Sequence, residues 1–220
     1  IIACATAFSI LIGVTVIVLR ATTPPEPSRP QPGPISLTTC SGDSVPDSDI
    51  SAVTDEIKFL NRSAGTLKRR AEGLLLNVFE ELEKHELPKP NVSCQDVLDI
   101  LGSPYDFKSD DPLDLGQWLQ EGLNIRSKFA AYYNESISMQ IVPVPKIMKG
   151  KESVAQHLRM LFSASLLHTL GCSTPAPSTV NVTTDLRVDY AVSSCTVEFA
   201  EHLIQQCNRI AADVDKNNKN

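Results

Sequence analysis

The chain is poor in the residues on which several classes of protein depend. Aromatic residues make up only 5% of the 220 residues, and the apolar content is mostly Leu, Val, Ile and Ala, which favours helices over a β-sandwich. It has no excess of positive charge: the formal net charge is −6, whereas nucleic-acid-binding domains usually present a basic face. No internal repeat is present, which argues against a solenoid or a propeller.

Residues that could carry chemistry are also sparse. Of the four histidines, His157 and His168 share a predicted helix but lie three turns apart, too far to share a metal ion. No two cysteines have the CxxC spacing of zinc or thioredoxin sites. The acidic run 109–114 lacks the pattern of a calcium loop, and Gly150-Lys151 follows no Gly-rich phosphate loop. We therefore expect no catalytic residue, cofactor, metal site or small-molecule substrate, and the chain is predicted not to be an enzyme.

The first 39 residues show no pattern of a folded domain. Residues 1–20 form an apolar run closed by Arg20, which we interpret as a signal-peptide core, with a membrane anchor as the alternative. Under either interpretation, the residues after Arg20 are expected to enter the secretory pathway. Residues 21–39 contain six prolines and are predicted to be an extended spacer. The folded domain is predicted over 40–215, followed by a polar tail over 216–220.

Four later segments repeat apolar residues every three or four positions, as amphipathic helices do. Asp47 or Ser48 is expected to cap the first helix, Pro88 to end it, Pro112 to start the second, and Gly171 to end the third. The sequence therefore predicts an all-α fold. The predicted helices cover about 50–84, 114–135, 152–170 and 189–214.

The links between these helices predict their topology. The first link (86–111) and the third (173–188) are long enough for the chain to travel the length of the bundle and start the next helix in the same direction. The middle link (136–151) could be of either kind. The result is a four-helix bundle with up-up-down-down topology, an arrangement known from cytokine bundles.

Five cysteines follow the spacer, and in an oxidising compartment such a set indicates disulfides. Their number alone leaves several connectivities open. In the predicted topology Cys40 and Cys172 lie at one end of the bundle, and Cys94 and Cys195 at the other. This favours the bridges Cys40–Cys172 and Cys94–Cys195, and it leaves Cys207 free as a small buried residue.

The sequence also contains four N-glycosylation sequons. In a chain routed outside the cell, they indicate glycosylation of at least some of these sites. A glycan also marks surface that a protein partner does not cover. The four sequon asparagines are Asn61, Asn91, Asn134 and Asn181.

Together these features resemble the long-chain four-helix cytokines of the leukaemia inhibitory factor and oncostatin M type, including their fish counterparts. The resemblance covers about residues 40–214. It rests on the order of the four paired cysteines, on the stretch Leu60-Asn61-Arg62-Ser63-Ala64, and on the helix and loop lengths. It implies a secreted, monomeric ligand that assembles a glycoprotein-130-type shared receptor with a second receptor chain. The alternative is a membrane-anchored helical protein of the cell surface.

The resemblance also implies two receptor-binding regions. The shared receptor would meet exposed faces of the first and third helices, and the second receptor the start of the fourth. The Phe-x-x-Lys motif usual at that start is replaced here by Val188 and Ala191, with Tyr190 as a substitute aromatic anchor. The receptor-binding candidates are Asp55, Arg62, Arg69, Glu72, Arg159, Val188 and Tyr190.

Overall fold

The computed structural model describes residues 35–102, 113–139, 144–162, 164–174, 180, 182 and 185–217. These residues are mostly helical, which confirms the predicted all-α class. The predicted signal core or anchor, and nearly all of the spacer, lie outside them. Within them, no helix combines the length and the apolar character that crossing a membrane requires.

The first helix, α1, spans Asp47–Lys84 and confirms the strongest periodic signal of the sequence. The predicted stripe is buried from Val53 to Leu82. The expected cap is wrong, because Asp47 begins the helix and Pro46 precedes it without a side-chain cap. The helix ends before the prolines, where Glu86 adopts a φ of 55° and the Leu87 N–H bonds the Leu82 carbonyl. The chain leaves α1 by this left-handed turn.

The last helix, α6, spans Leu186–Asn217 and packs along α1. Asn61 contacts Asn208 near one end of the pair, and Phe79 contacts Tyr190 near the other. Between them, Lys68 Nζ lies 2.8 Å from Glu201 Oε1. Because residue numbers rise along one helix as they fall along the other, α1 and α6 are antiparallel.

Helix α3 spans Leu115–Ser138, and aromatic side chains in its second half contact α6. Its N-cap is Asp114, whose side chain accepts a hydrogen bond from the Gln117 N–H. The expected start signal at Pro112 lies outside the described residues. The rings of Phe129 and Phe199 are 5.8 Å apart between centroids, which joins the two helices in the core.

The predicted third helix differs most from the structure. Helix α4 begins at Pro145, seven residues earlier than expected, and ends at Met160. A short helix, α5, follows over Ala164–Thr169. Between them Phe162 has a φ of 57°, which breaks the helix. Gly171, with a φ of 68°, ends α5 as predicted, because the Cys172 N–H bonds back to the Leu167 carbonyl.

Gly150 allows α4 to approach α1 closely. A Cβ atom at this position would lie 2.9 Å from a Leu74 methyl carbon. Further along, Lys146 Nζ lies 3.8 Å from Glu80 Oε2, so α4 also runs antiparallel to α1. The glycine is therefore explained by helix packing.

A short helix and a pair of short strands were not predicted. Helix α2 spans Cys94–Ile100 within the first long link. Strands β1 (Ile35–Ser36) and β2 (Leu113–Asp114) form a short parallel pair. Both are too short to produce a periodic apolar signal.

The two disulfides are those predicted from topology. Cys40 is bonded to Cys172, with 5.2 Å between their Cα atoms, and Cys94 to Cys195, with 4.7 Å. Cys207 is free and buried in α6, and its burial raises the pKa of its thiol to about 12.

One end of the bundle, which we call the closed end, is made of residues 35–45, 113–116 and 167–172. The Cys40 N–H bonds the Leu170 carbonyl at 3.0 Å, and the buried Val45 returns to Leu37 through a 2.9 Å backbone bond. The backbone of Thr39 lies so close to Gly116 that no Cβ would fit there. The N-terminal segment therefore covers the start of α3.

Candidate functional site

The opposite end of the bundle, which we call the open end, is made of residues 87–101 and 185–192. Helix α2 and the first turns of α6 enclose an apolar groove of about 330 Å³. This volume lies in the range of pockets that hold a ligand or an anchoring side chain. The groove is lined by Pro90, Val92, Val97, Ile100, Leu101, Tyr132, Asp185, Arg187, Val188, Ala191 and Val192.

The rim of the groove exposes apolar side chains to solvent. Ile100 is 75% exposed and Val92 is 45% exposed, and Leu87 lies exposed just before them in the chain. Single exposed apolar residues are ordinary, but several around one concave surface mark an interaction site. The open end is therefore the strongest candidate for binding in the part of the chain that the structure describes.

Helix α2 is held beside α6 by its own first turn. Ser93 is its N-cap: the Ser93 Oγ accepts from the Asp96 N–H, and the Asp96 carboxylate accepts from the Ser93 N–H. The Ser93 hydroxyl also donates to the Asp96 carboxylate at 2.7 Å, and this bond, with that from the Ser93 N–H, lowers the pKa of Asp96. Cys94, the next residue, carries the disulfide to Cys195 in α6. One wall of the groove is thus covalently fixed to the other.

A buried polar cluster lies beneath the groove and joins three helices. Lys151 Nζ in α4 lies 2.8 Å from Asp189 Oδ2 in α6, and both side chains are almost fully buried. Tyr132 in α3 donates its hydroxyl to Asp189 Oδ1 at 2.8 Å. Burial, together with the charge of Asp189, raises the pKa of Tyr132, so this hydroxyl stays protonated. Because Tyr132 also lines the groove, the cluster fixes the groove floor.

Sequence reasoning missed this cluster, although a signal was present. Lys151 falls on the buried stripe of α4, between Ile147 and Val154, where an apolar residue is expected. Asp189 likewise lies on the buried side of α6. A charged residue within an apolar stripe indicates a buried partner of opposite charge, because an unpaired buried charge is very costly.

The outer face of α1 carries the candidates for the first receptor region. Asp55, Arg62 and Arg69 are exposed as expected, and Glu72 is half-buried. Lys68, next to Arg69, is bound to Glu201 and Glu72, and this pairing raises its pKa. Arg62 and Arg69 are therefore more accessible to a partner than Lys68.

Arg159 is exposed on α4, but its contact is with α3. Its Nη2 donates to Asn134 Oδ1 at 2.8 Å. Asn134 is a sequon asparagine, so Arg159 lies where a glycan would be attached. No contact between Arg159 and the arginines of α1 occurs among the described residues.

The two candidates at the start of the last helix have different surroundings. Val188 is half-buried and lines the groove. Tyr190, the suggested aromatic anchor, is only 7% exposed, so its ring is largely covered within the protein. Its ring packs 6.3 Å from that of Phe79, and Lys89 Nζ lies 5.2 Å from its centroid. Tyr190 therefore holds the link after α1 against α6.

The sequons differ in accessibility. Asn91 and Asn134 are exposed, and Asn181 lies outside the described residues. Asn61 is half-buried, and its Nδ2 donates to Asn208 Oδ1 at 2.7 Å across the seam between α1 and α6.

No protein-family model, curated protein or solved structure matches this chain. The function is therefore inferred from the geometry and from the chemistry of the surface.

Proposed function

We propose that the chain is a secreted ligand that assembles receptor chains at the cell surface. The groove at the open end carries this proposal. An apolar concave surface with an exposed apolar rim suits the anchoring side chain of a protein partner. It lies at the start of the last helix, the region where the resemblance implies the second receptor.

The proposal includes a four-helix bundle with up-up-down-down topology. The antiparallel contacts of α1 with both α4 and α6 support it, as does the packing of α3 against α6 through Phe129 and Phe199. In this arrangement α1 and α3 run in one direction, and α4 and α6 in the other. Both long links then cross the length of the bundle.

Two disulfides support an oxidising, extracellular environment. In such a ligand the groove meets the second receptor chain, and the outer face of α1 meets the shared glycoprotein-130-type chain. Binding, not catalysis, is then the activity of the protein.

Cross-linking the glycosylated protein to cells, followed by identification of the bound chains, tests the proposal. We expect a glycoprotein-130-class receptor among the cross-linked chains. Recovery of other surface proteins only would contradict the family assignment. N-terminal sequencing of protein recovered from culture medium tests secretion, because a start near Ala21 indicates removal of a signal peptide.

The first receptor region has its own test in Arg69→Glu. We expect this reversal of an exposed charge to weaken binding to the shared receptor by more than about tenfold, with no loss of helicity. Lys84→Glu is the matched control, because it reverses an exposed charge on the same helix roughly 22 Å away. Equal surface-plasmon affinities for the two variants would remove Arg69 from the interface.

A further inference from the structure

One sequon lies within the rim of the groove. Asn91-Val92-Ser93 is the sequon, and both Pro90 and Val92, the neighbours of Asn91, line the groove. Asn91 itself is exposed. A glycan on its side chain would therefore begin at the edge of the groove.

The attachment point is fastened on both sides. Before it, Lys89 lies over the ring of Tyr190 in α6. After it, Ser93 is fixed by its hydrogen bonds with Asp96, and Cys94 is bonded to Cys195. A glycan on Asn91 cannot swing away with a flexible loop, because the backbone that carries it is tied to the wall of the groove.

An N-linked glycan is bulky and hydrophilic, and it covers the surface near its attachment. Val92 and Ile100 are the exposed apolar side chains that line the groove. We propose that an N-linked glycan on Asn91 covers the groove and thereby limits docking of the second receptor chain. The docking part of this inference rests on the proposed function, whereas the covering of the groove does not.

The other described sequons lack this relation to the groove. Asn61 lies on α1 roughly 27 Å along the helix from Phe79, which is level with the open end. Asn134 contacts Arg159 on the surface between α3 and α4. Removing a glycan from Asn61 therefore provides a control for general effects of sugar removal.

The experiment uses the full chain secreted from mammalian cells. Peptide mass mapping measures occupancy of Asn91. The fluorescence of anilinonaphthalene sulfonate, a dye that binds exposed apolar surface, measures access to the groove. Fluorescently labelled protein measures binding to the cells used for cross-linking. The variants are Asn91→Gln, the sequon-retaining control Ser93→Thr, the distant control Asn61→Gln, and Ala191→Trp, which fills the groove.

We expect Asn91 to be occupied. Asn91→Gln should raise dye fluorescence at least about twofold and tighten cell binding by about tenfold, because an anchor pocket carries much of an interface's affinity. Ser93→Thr and Asn61→Gln should match the unmutated protein. In the double variant Asn91→Gln with Ala191→Trp, the rise in dye fluorescence and the tighter cell binding should both be lost. Their loss would show that both effects arise at the groove.

Three results would overturn the inference. An Asn91 without glycan removes its basis. An occupied Asn91 whose loss changes neither dye fluorescence nor cell binding shows that the sugar leaves the groove open. If Asn91→Gln and Asn61→Gln raise dye fluorescence and cell binding equally, the effect is a general result of sugar removal and not specific to the groove. If dye fluorescence rises but no variant binds cells, the receptor proposal fails and the docking limit fails with it, whereas the covering of the groove stands.

Discussion

The closed and open ends of the bundle each hold one disulfide, yet they differ in what surrounds it. At the closed end the N-terminal segment lies over the start of α3, and Thr39 packs against Gly116 so tightly that a side chain is excluded. At the open end Cys94–Cys195 holds a short helix beside α6 and leaves a groove with an apolar rim. The surface beside the first disulfide is covered by the chain, whereas the surface beside the second is accessible to a partner.

The difference shows that a disulfide's effect on a surface is decided by its neighbours. The two loops closed are 132 and 101 residues long. In the chain-entropy model their contributions to stability differ by only roughly 0.2 kcal/mol. Any larger difference in behaviour must come from local packing.

Removal of each disulfide gives the largest expected effect. We expect Cys40→Ser with Cys172→Ser, and separately Cys94→Ser with Cys195→Ser, to lower the free energy of unfolding by about 2–5 kcal/mol each. Only the second pair should change dye binding at the groove, because α2 is then released from α6. Urea unfolding and dye titration measure the two effects. A change in dye binding after loss of the first pair would contradict the comparison.

Lys151→Met should lower the free energy of unfolding by about 3–5 kcal/mol, because Asp189 is left charged and buried beneath the open end. The double variant with Asp189→Leu should recover part of this loss. About 1–3 kcal/mol would remain, because the Tyr132 hydroxyl has lost its acceptor. Lys149→Met, an exposed change on the same helix, is the control. Equal stabilities of the Lys151 and Lys149 variants in urea would contradict the buried pair.

His202 provides a pH test that should affect both ends together. It lies in α6, and burial lowers its pKa to about 4, below the ordinary value of 6.5. Between pH 4 and 6.5, His202 is therefore protonated in the unfolded chain but neutral in the folded chain. The free energy of unfolding is highest above pH 6.5 and falls as the pH drops toward 4. The loss should reach about 3 kcal/mol.

The variant His202→Leu should flatten this dependence in urea unfolding between pH 4 and 6.5. Dye binding to the groove should not change before global unfolding. An early rise in dye fluorescence would mean that the open end loosens separately.

Gly116→Ala tests the closed end with a smaller effect. Because the new Cβ would meet the backbone of Thr39, we expect a loss of about 1–3 kcal/mol, as for overpacked cores. Gly73→Ala, with open space around the site, should instead gain up to about 1 kcal/mol from helix propensity. Thermal unfolding compares the two. A Gly116→Ala variant as stable as the original protein would show that the backbone around Thr39 shifts readily to accommodate the added methyl group.

The sequence was sufficient to predict the long helices, because each of them carries a long, regular apolar stripe. The apolar stripes of α1 and α6 extend over many helical turns. A single polar residue within such a stripe does not obscure its spacing of three or four residues. The break at Phe162 was missed because Leu158, Leu161 and Phe162 continue the apolar spacing across it. The early start of α4 at Pro145 was missed because Gly150 and Lys151 interrupt its stripe, although each has a packing reason.

The groove could not be predicted, because it arises where separate segments meet. Val92 and Val188 are nearly a hundred positions apart, and each is unremarkable in its own segment. The resemblance directed attention to the start of the last helix and suggested Tyr190 as an aromatic anchor. The structure has a concavity there and buries Tyr190.

The order of the paired cysteines has a consequence for biosynthesis. Cys40 and Cys94 are both made before either of their partners, Cys172 and Cys195. At ribosomal speeds of about 5–20 residues per second, Cys40 waits roughly 7–26 s for Cys172. During that interval the native partners of both early thiols are absent, so a bond formed between Cys40 and Cys94 would have to be broken before the native pairs form. Because Cys195 lies in the last helix, the Cys94–Cys195 pair can form only after most of the chain has been made.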